Sequence, residues 1–116
     1  MSYNVMRVET QDVREYAAPS GRIPFREWLR SLRDVRARAI IRVRLNRVRL
    51  GNFGDCLSIG GGIQELRVDF GPGYRVYLAM PDNRTVVILC GGEKKTQSKD
   101  IDAARSRWAD YKARRR

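Results

Sequence analysis

Residues 61–99, GGIQELRVDFGPGYRVYLAMPDNRTVVILCGGEKKTQSK, decide how this chain folds. Glu65, Leu66, Arg67, Val68 and Asp69 alternate between polar and apolar. Gly71, Pro72 and Gly73 break the run, and Tyr74 to Leu78 alternates again. Pro81-Asp82-Asn83 turns the chain into Val86–Cys90, which is apolar throughout. Period-two alternation bounded by Gly, Pro and Asn predicts a three-stranded meander. The third strand, apolar on both faces, is expected to be the most buried. Alternation puts Leu66, Val68 and Phe70 on one face with Tyr74, Val76 and Leu78. Arg67, Arg75 and Tyr77 take the other face, with Glu65 and Asp69. With helices covering the apolar face, those two arginines and the tyrosine are expected on an open face. Lys94 and Lys95 enter where the third strand ends. Such a cationic cluster with an aromatic ring suits a phosphate-bearing ligand.

The length, 116 residues, is that of one domain, taken as 1–116 with the last few residues disordered. Net charge is +11, and 20 of the 24 basic residues are arginine. Guanidinium binds phosphate in bidentate fashion and stacks on flat rings, so this choice points to a polyanion or an acidic protein surface. The two cysteines, Cys56 and Cys90, with no histidine, make neither a zinc site nor a disulfide framework. The opening residues MSYNVMRVE lack a secretory apolar core, and no apolar run is long enough to span a bilayer. A cytoplasmic protein without membrane association is expected.

Outside the meander, residues 3–10 (YNVMRVET) read as a first strand and 11–23 as a connection. Pro24 suits the first turn of a helix carrying Phe25, Trp28, Leu29 and Leu32 on one face. Asp34 caps a second helix that runs to about Leu50 and stops at Gly51. Its buried stripe is Ala37, Ile41, Leu45 and Val48. Arginines, among them Arg38, Arg42 and Arg49, take the remaining faces as a track for a phosphate backbone or for an acidic partner segment. GNFGDCLSIGGG (51–62) reads as a glycine-rich connection; it lacks the Lys-Ser/Thr ending of a nucleotide-binding loop. Neither it nor GGEKKT at 91–96 predicts a cofactor. Asp100 and Asp102 favour the start of a last helix with Ile101, Ala104, Trp108 and Tyr111 along one side.

Without histidine or a metal cluster, the usual hydrolytic triads are excluded. A cationic cluster can still cleave RNA by orienting a 2′-hydroxyl and stabilising charge on the scissile phosphate. Arg67 and Arg75 are the expected phosphate clamp. Lys94 or Lys95 is the better proton carrier, because an arginine stays charged at neutral pH and is a poor base, while neighbouring positive charge lowers a lysine's pKa. Tyr77, or in second place Tyr74, could stack a base, and Gln97 could bond a base edge or sugar. On this reading, replacing Arg75 or Lys94 removes cleavage without unfolding the domain.

The runs Phe25-Arg26-Glu27-Trp28-Leu29, Arg49-Leu50-Gly51-Asn52-Phe53-Gly54-Asp55, Glu65-Leu66-Arg67, Gly71-Pro72-Gly73-Tyr74-Arg75-Val76-Tyr77, Gly91-Gly92-Glu93-Lys94-Lys95-Thr96-Gln97 and Lys99-Asp100-Ile101 carry a resemblance. Over roughly residues 22–105 the chain resembles the RelE/ParE toxin superfamily, in its HigB-like, phage-derived addiction-module branch. The resemblance implies an α+β fold in the order β-α-α-β-β-β-α, a small, mostly antiparallel sheet with helices on one face. It implies a type II toxin neutralised by a cognate helix-turn-helix antitoxin, with mRNA and the ribosome as the other partners and an mRNA endonuclease as the activity. Arg75 matches the family's phosphate-binding arginine, Arg67 a basic position on the preceding strand, and Lys94 and Lys95 the basic pair after the last strand. The histidines of some HigB proteins are missing, and Tyr111 is a weak match to a catalytic tyrosine. ParE-like members poison DNA gyrase instead, and a non-toxic antitoxin-binding relic is a third alternative.

Overall fold

A computed structural model of the chain describes residues 9–115, as the order β1 (Asp12–Glu15), α1 (Pro24–Ser31), α2 (Val35–Arg49), β2 (Cys56–Gly60), β3 (Ile63–Val68), β4 (Tyr74–Asp82), β5 (Thr85–Glu93), a 3-10 turn (Lys94–Thr96) and α3 (Gln97–Arg114). The strand expected over 3–10 lies outside the described residues except for Glu9 and Thr10, which are in no strand. The observed first strand falls instead in the stretch read as a connection. A further strand, β2, occupies part of the glycine-rich segment that was also read as a connection.

The five strands form one sheet in the order β1-β5-β4-β3-β2. Only β1 runs parallel to its neighbour, with Asp12 facing Thr85 and Glu15 facing Ile88. The β3-β4-β5 meander is the antiparallel centre, and β2 pairs with β3 as an edge strand with an irregularity between Ser58 and Gly60. Residues Val86–Cys90 are all buried, as their continuous apolar run predicts.

Local chemistry sets the helices where the sequence puts them. Pro24 opens α1. Asp34 Oδ1 accepts hydrogen bonds from the amides of Arg36 (2.9 Å) and Ala37 (3.3 Å) at the start of α2. Gly51, at φ +88°, ends α2 in a backbone region that a side chain disfavours. Among the described residues no helix is long and apolar enough to cross a membrane.

The helices do not share one face of the sheet, contrary to expectation. On the first face Leu66, Val68, Val76, Leu78, Val86 and Ile88 pack with Phe25 and Leu29 of α1 and with Ala37, Ile41, Leu45 and Val48 of α2. On the second face Ile63, Tyr77, Ala79, Val87, Leu89 and Cys90 pack with Ala104 and Trp108 of α3. Each position of β3 to β5 that was read as open is therefore answered by α3, except at the end where α3 begins. Near the end of α3 the Arg114 guanidinium donates to Ala17 O (2.5 Å) and to Asp110 Oδ2 (2.9 Å).

Candidate nucleic-acid interface

The antiparallel register of β3 and β4 places Arg67 opposite Arg75 and Glu65 opposite Tyr77. All four belong to the second face. The turn that sets this register is built by Gly71 (φ +56°) and Gly73 (φ +82°), with the Gly73 amide donating to Phe70 O at 3.0 Å. Like charges directly across a strand pair repel, so two facing arginines need a counter-charge. Glu65, only 3% exposed, supplies it. Its Oε2 lies 3.9 Å from Arg75 Nε, and it accepts hydrogen bonds from Gln97 Nε2 (2.7 Å) and Tyr77 Oη (3.1 Å). On the other side of Arg67, Asp55 Oδ1 is 3.4 Å from Arg67 Nε. The Nε atoms of both arginines are buried without a hydrogen-bond partner.

Two adjacent glycines bring the helices to this end of the sheet. A Cβ on Gly91 would run into the Trp28 ring of α1, and one on Gly92 into the Asp100 carboxylate of α3. Gly92 pairs with Arg75 in register, so a bare backbone there lets the first turn of α3 settle beside the arginine. Asp100 Oδ2 in turn accepts from Thr96 Oγ1 at 2.5 Å, which fixes the 3-10 turn against α3. The GG pair is thus a helix seat, in keeping with its wrong spacing for a phosphate loop. Lys94 follows at once; its amide donates to Gly73 O at 2.9 Å, which ties the basic knuckle to the β3–β4 turn. The side chains of Lys94 and Lys95 are exposed, and Lys95 Nζ lies 3.8 Å from Glu93 Oε2.

Of the residues singled out from sequence, Arg67, Arg75, Gln97 and the Lys94–Lys95 pair therefore gather at one end of the second face. Tyr77 does not serve as a stacking platform: it has no exposed surface, and its hydroxyl is committed to Glu65. Burial, with the Glu65 carboxylate beside it, pushes that hydroxyl's pKa well up, so it stays a neutral donor. Tyr74 is buried on the first face, against Trp28. Arg38, Arg42 and Arg49 do not join the cluster either. They belong to α2, on the far side of the sheet, and Arg38 Nη1 bonds the Leu32 carbonyl while Arg49 Nη1 bonds Asn46 Oδ1 at 2.9 Å. Tyr111 stacks on Trp108 (5.6 Å, 19°) near the opposite end of α3, about 20 Å along the helix from Gln97.

Sequence reasoning placed Glu65 only on the same face as the arginines and missed it as the hub. Its position opposite Tyr77 and two residues from Arg67 was the available signal. Arg44, which sends Nη1 to Arg67 O and Nη2 to Phe53 O (3.2 Å), was also missed; from α2 it fastens the backbone under Arg67. A cleft of about 620 Å³ opens on the other side of Gly92, between Trp28, Asp34 and Asp100. Of its three carboxylates, Asp34 caps α2, Asp100 accepts from Thr96 and Glu93 lies 3.8 Å from Lys95 Nζ.

Among the described residues no group of His, Cys, Asp or Glu is placed to hold a metal ion. The two thiols are free; burial raises the Cys56 and Cys90 pKa values to about 11, so both are inert at neutral pH.

Comparison with known proteins adds the lineage. Residues 27–109 match the model of the family described as "Phage derived protein Gp49-like (DUF891)". The chain belongs to the Gp49-like family. An uncharacterized protein of Haemophilus influenzae is 49% identical over 83 residues, which cover 72% of this chain and 84% of that relative. The Gp49-like segment runs from α1 into α3 and holds Glu65, both facing arginines, the GG seat and the lysine pair; β1 and Tyr111 fall outside it.

Proposed function

We propose that this Gp49-like protein is the toxin of a type II toxin–antitoxin module and acts as an mRNA endonuclease on the ribosome. The observation that carries the reading is the pair of facing guanidinium groups, Arg67 and Arg75, gathered with Gln97 and the exposed Lys94 and Lys95 at one end of the second face. The two guanidinium groups, held in place by Glu65 and Asp55, are preorganised for an anion that gains charge during reaction. In the proposed reaction the RNA 2′-oxygen attacks the adjacent phosphorus and the bond to the 5′-oxygen breaks. The products are a 2′,3′-cyclic phosphate, or its 3′-phosphate hydrolysis product, and a 5′-hydroxyl. Arg67 and Arg75 neutralise the phosphate, Gln97 orients the nucleotide, and Lys94 or Lys95 moves the proton. Glu65 touches no substrate; it is a positioning residue that holds Arg75 and Gln97. A helix-turn-helix antitoxin is the proposed partner that silences the toxin.

The test is primer extension on a defined mRNA in a purified translation system, with and without ribosomes. Wild type runs beside the Lys94→Ala/Lys95→Ala protein. Cuts that need ribosomes and vanish in the variant support the proposal. Cuts without ribosomes make the protein a free ribonuclease. A folded, growth-inhibiting protein that makes no cuts overturns the nuclease reading in favour of a protein target such as gyrase.

A further inference from the structure

Helix α2 is apolar on two opposite sides. Ala37, Ile41, Leu45 and Val48 face the sheet. On the reverse, Val35, Ala39, Val43 and the C-cap Leu50 follow at steps of four and seven and fall within an arc of about 80°, where the one polar residue is Asn46, whose Oδ1 accepts from Arg49 Nη1. Val35 is 66% exposed, Val43 46% and Leu50 63%. Only four large hydrophobic residues are exposed among the described residues, and these are three of them. Scattered singly they would mean nothing; aligned on one helix face they form a patch. A shallow depression of about 260 Å³ lies along it, lined by Ala39, Ile40, Val43, Arg44 and Arg47.

Charge frames the patch. Arg36 and Arg47 lie along one flank and Arg42 and Arg49 along the other, and VRARAIIRVRLNRVR contains no acidic residue. An RNA backbone would gain from an unbroken basic row, but it would leave the three aliphatic side chains between the rows either wet or against phosphate. A second copy of this chain would set arginine rows against arginine rows in a molecule of net charge +11. The remaining fit is a helix with an aliphatic stripe of its own and carboxylates on both sides of it. We infer that the outer face of α2 is the docking surface for an acidic amphipathic helix of a partner protein. The surface lies on the opposite side of the sheet from Arg67 and Arg75, so the inference stands whether or not the chain cuts RNA.

The test uses fluorescence anisotropy with a synthetic helical peptide of about 18 residues. The peptide carries leucine at every third and fourth position and glutamate elsewhere; a scrambled peptide of identical composition is the control for charge. The full chain is compared with the combined Val35→Ser, Val43→Ser, Leu50→Ser protein, in which every arginine remains. Thermal melting checks its fold, and Val43→Ser alone serves if the combined protein does not fold. The wild-type chain is expected to bind the patterned peptide at least about tenfold more tightly than the scrambled one, and the serine protein to lose that difference. Equal binding of the two peptides, or an unchanged preference in the serine protein, overturns the inference. So does a wild-type dimer in sedimentation that the serine substitutions dissolve, which would assign the face to a second copy. A serine protein that loses as much affinity for a uridine oligonucleotide as for the peptide would assign it to RNA and overturns the inference as well.

Discussion

The two faces of the sheet are covered on different terms. The face under α1 and α2 is aliphatic across its centre, from Val68 and Leu66 to Val86 and Ile88, with Tyr74 and Gln64 at its ends. The face under α3 is aliphatic only where Ile63, Ala79, Val87 and Leu89 meet Ala104 and Trp108. Toward the start of α3 it passes through Tyr77 and Glu65 to Arg75 and Arg67. The strands are the same, so the difference lies in every second residue. One set of alternate positions is given almost entirely to the core, with no charged member, while the other divides between core and charge. The charged end is tolerable because each donor near Glu65 is either bonded to it or held beside it.

Truncation on the aliphatic face should give the largest loss. Leu66→Ala removes a fully buried side chain at the centre of that face and is expected to cost about 2–5 kcal/mol in denaturant unfolding, with any activity falling only as the folded fraction falls. Its neighbour on the same strand but the opposite face should behave otherwise. Glu65→Gln keeps an acceptor for Tyr77 and Gln97 but removes the charge beside Arg75, for an expected cost of about 1–3 kcal/mol. If the chain cuts RNA as proposed, the loss of cleavage in Glu65→Gln should exceed what the folded fraction explains, because Gln97 and Arg75 lose their fixed positions. A Glu65→Gln protein that melts normally and cleaves normally would remove the contrast between the faces. Arg75→Ala is less clean than sequence reasoning expected. Arg75 has a side chain only 11% exposed and is the counter-ion of a buried carboxylate, so its removal lowers stability together with activity.

The first face was legible in the sequence because alternation announces it: Leu66 and Val68, then Val76 and Leu78, are apolar beside polar neighbours. Helices α1 and α2 were legible from Pro24, Asp34 and Gly51, which carry local backbone chemistry. The second face was not, because Arg67 and Arg75 at its charged end read as solvent-facing and drew Tyr77 with them. Ile63, Ala79 and Leu89 were its quiet signal, and only packing against α3 joins them. Strands β1 (DVRE) and β2 (CLSIG) escaped notice because edge strands need little apolar content, and these are short. The site was half legible: pairing of two strands around Gly-Pro-Gly puts the arginines together, but nothing local marks Glu65 as buried.

Alkaline pH should sharpen the comparison, because the more deeply buried thiol, Cys90, and the most deeply buried phenol, Tyr77, lie on the α3 face. Burial raises the Cys90 thiol from 9.0 to about 11 and holds the Tyr77 hydroxyl above its ordinary 10.0. Below pH 9 both groups are protonated whether the chain is folded or not, and they cost nothing. Above it the unfolded chain releases the Cys90 proton while the folded chain keeps it, so stability falls as pH rises, by up to about 2–3 kcal/mol near pH 11. Tyr77 adds to the decline from pH 10 upward. The Cys56 thiol on the other face, also raised to about 11, adds a decline of the same kind, so urea unfolding across pH 8–11 should show the summed slope, and Cys90→Ala should remove only the Cys90 share of its first part. An unchanged slope in Cys90→Ala would mean that the thiol is more hydrated than its 5% exposure implies.

The smallest effect on stability should accompany a complete effect on function. Lys94 and Lys95 are exposed, and the contact that ties Lys94 to the turn is made by its backbone amide, which alanine keeps. The Lys95–Glu93 pair, at 3.8 Å with Lys95 76% exposed, is solvent-screened and of little worth. Lys94→Ala/Lys95→Ala should therefore melt within about 0.5 kcal/mol of wild type. If these lysines move the proton in RNA cleavage, product should nonetheless disappear, and binding of uncleaved RNA should lose part of its salt dependence as two counter-ion sites go. Loss of binding with intact single-turnover cleavage would make them electrostatic guides instead. Because neither lysine contributes to the core, this pair separates chemistry from folding in a way that no substitution at Glu65 or Arg75 can.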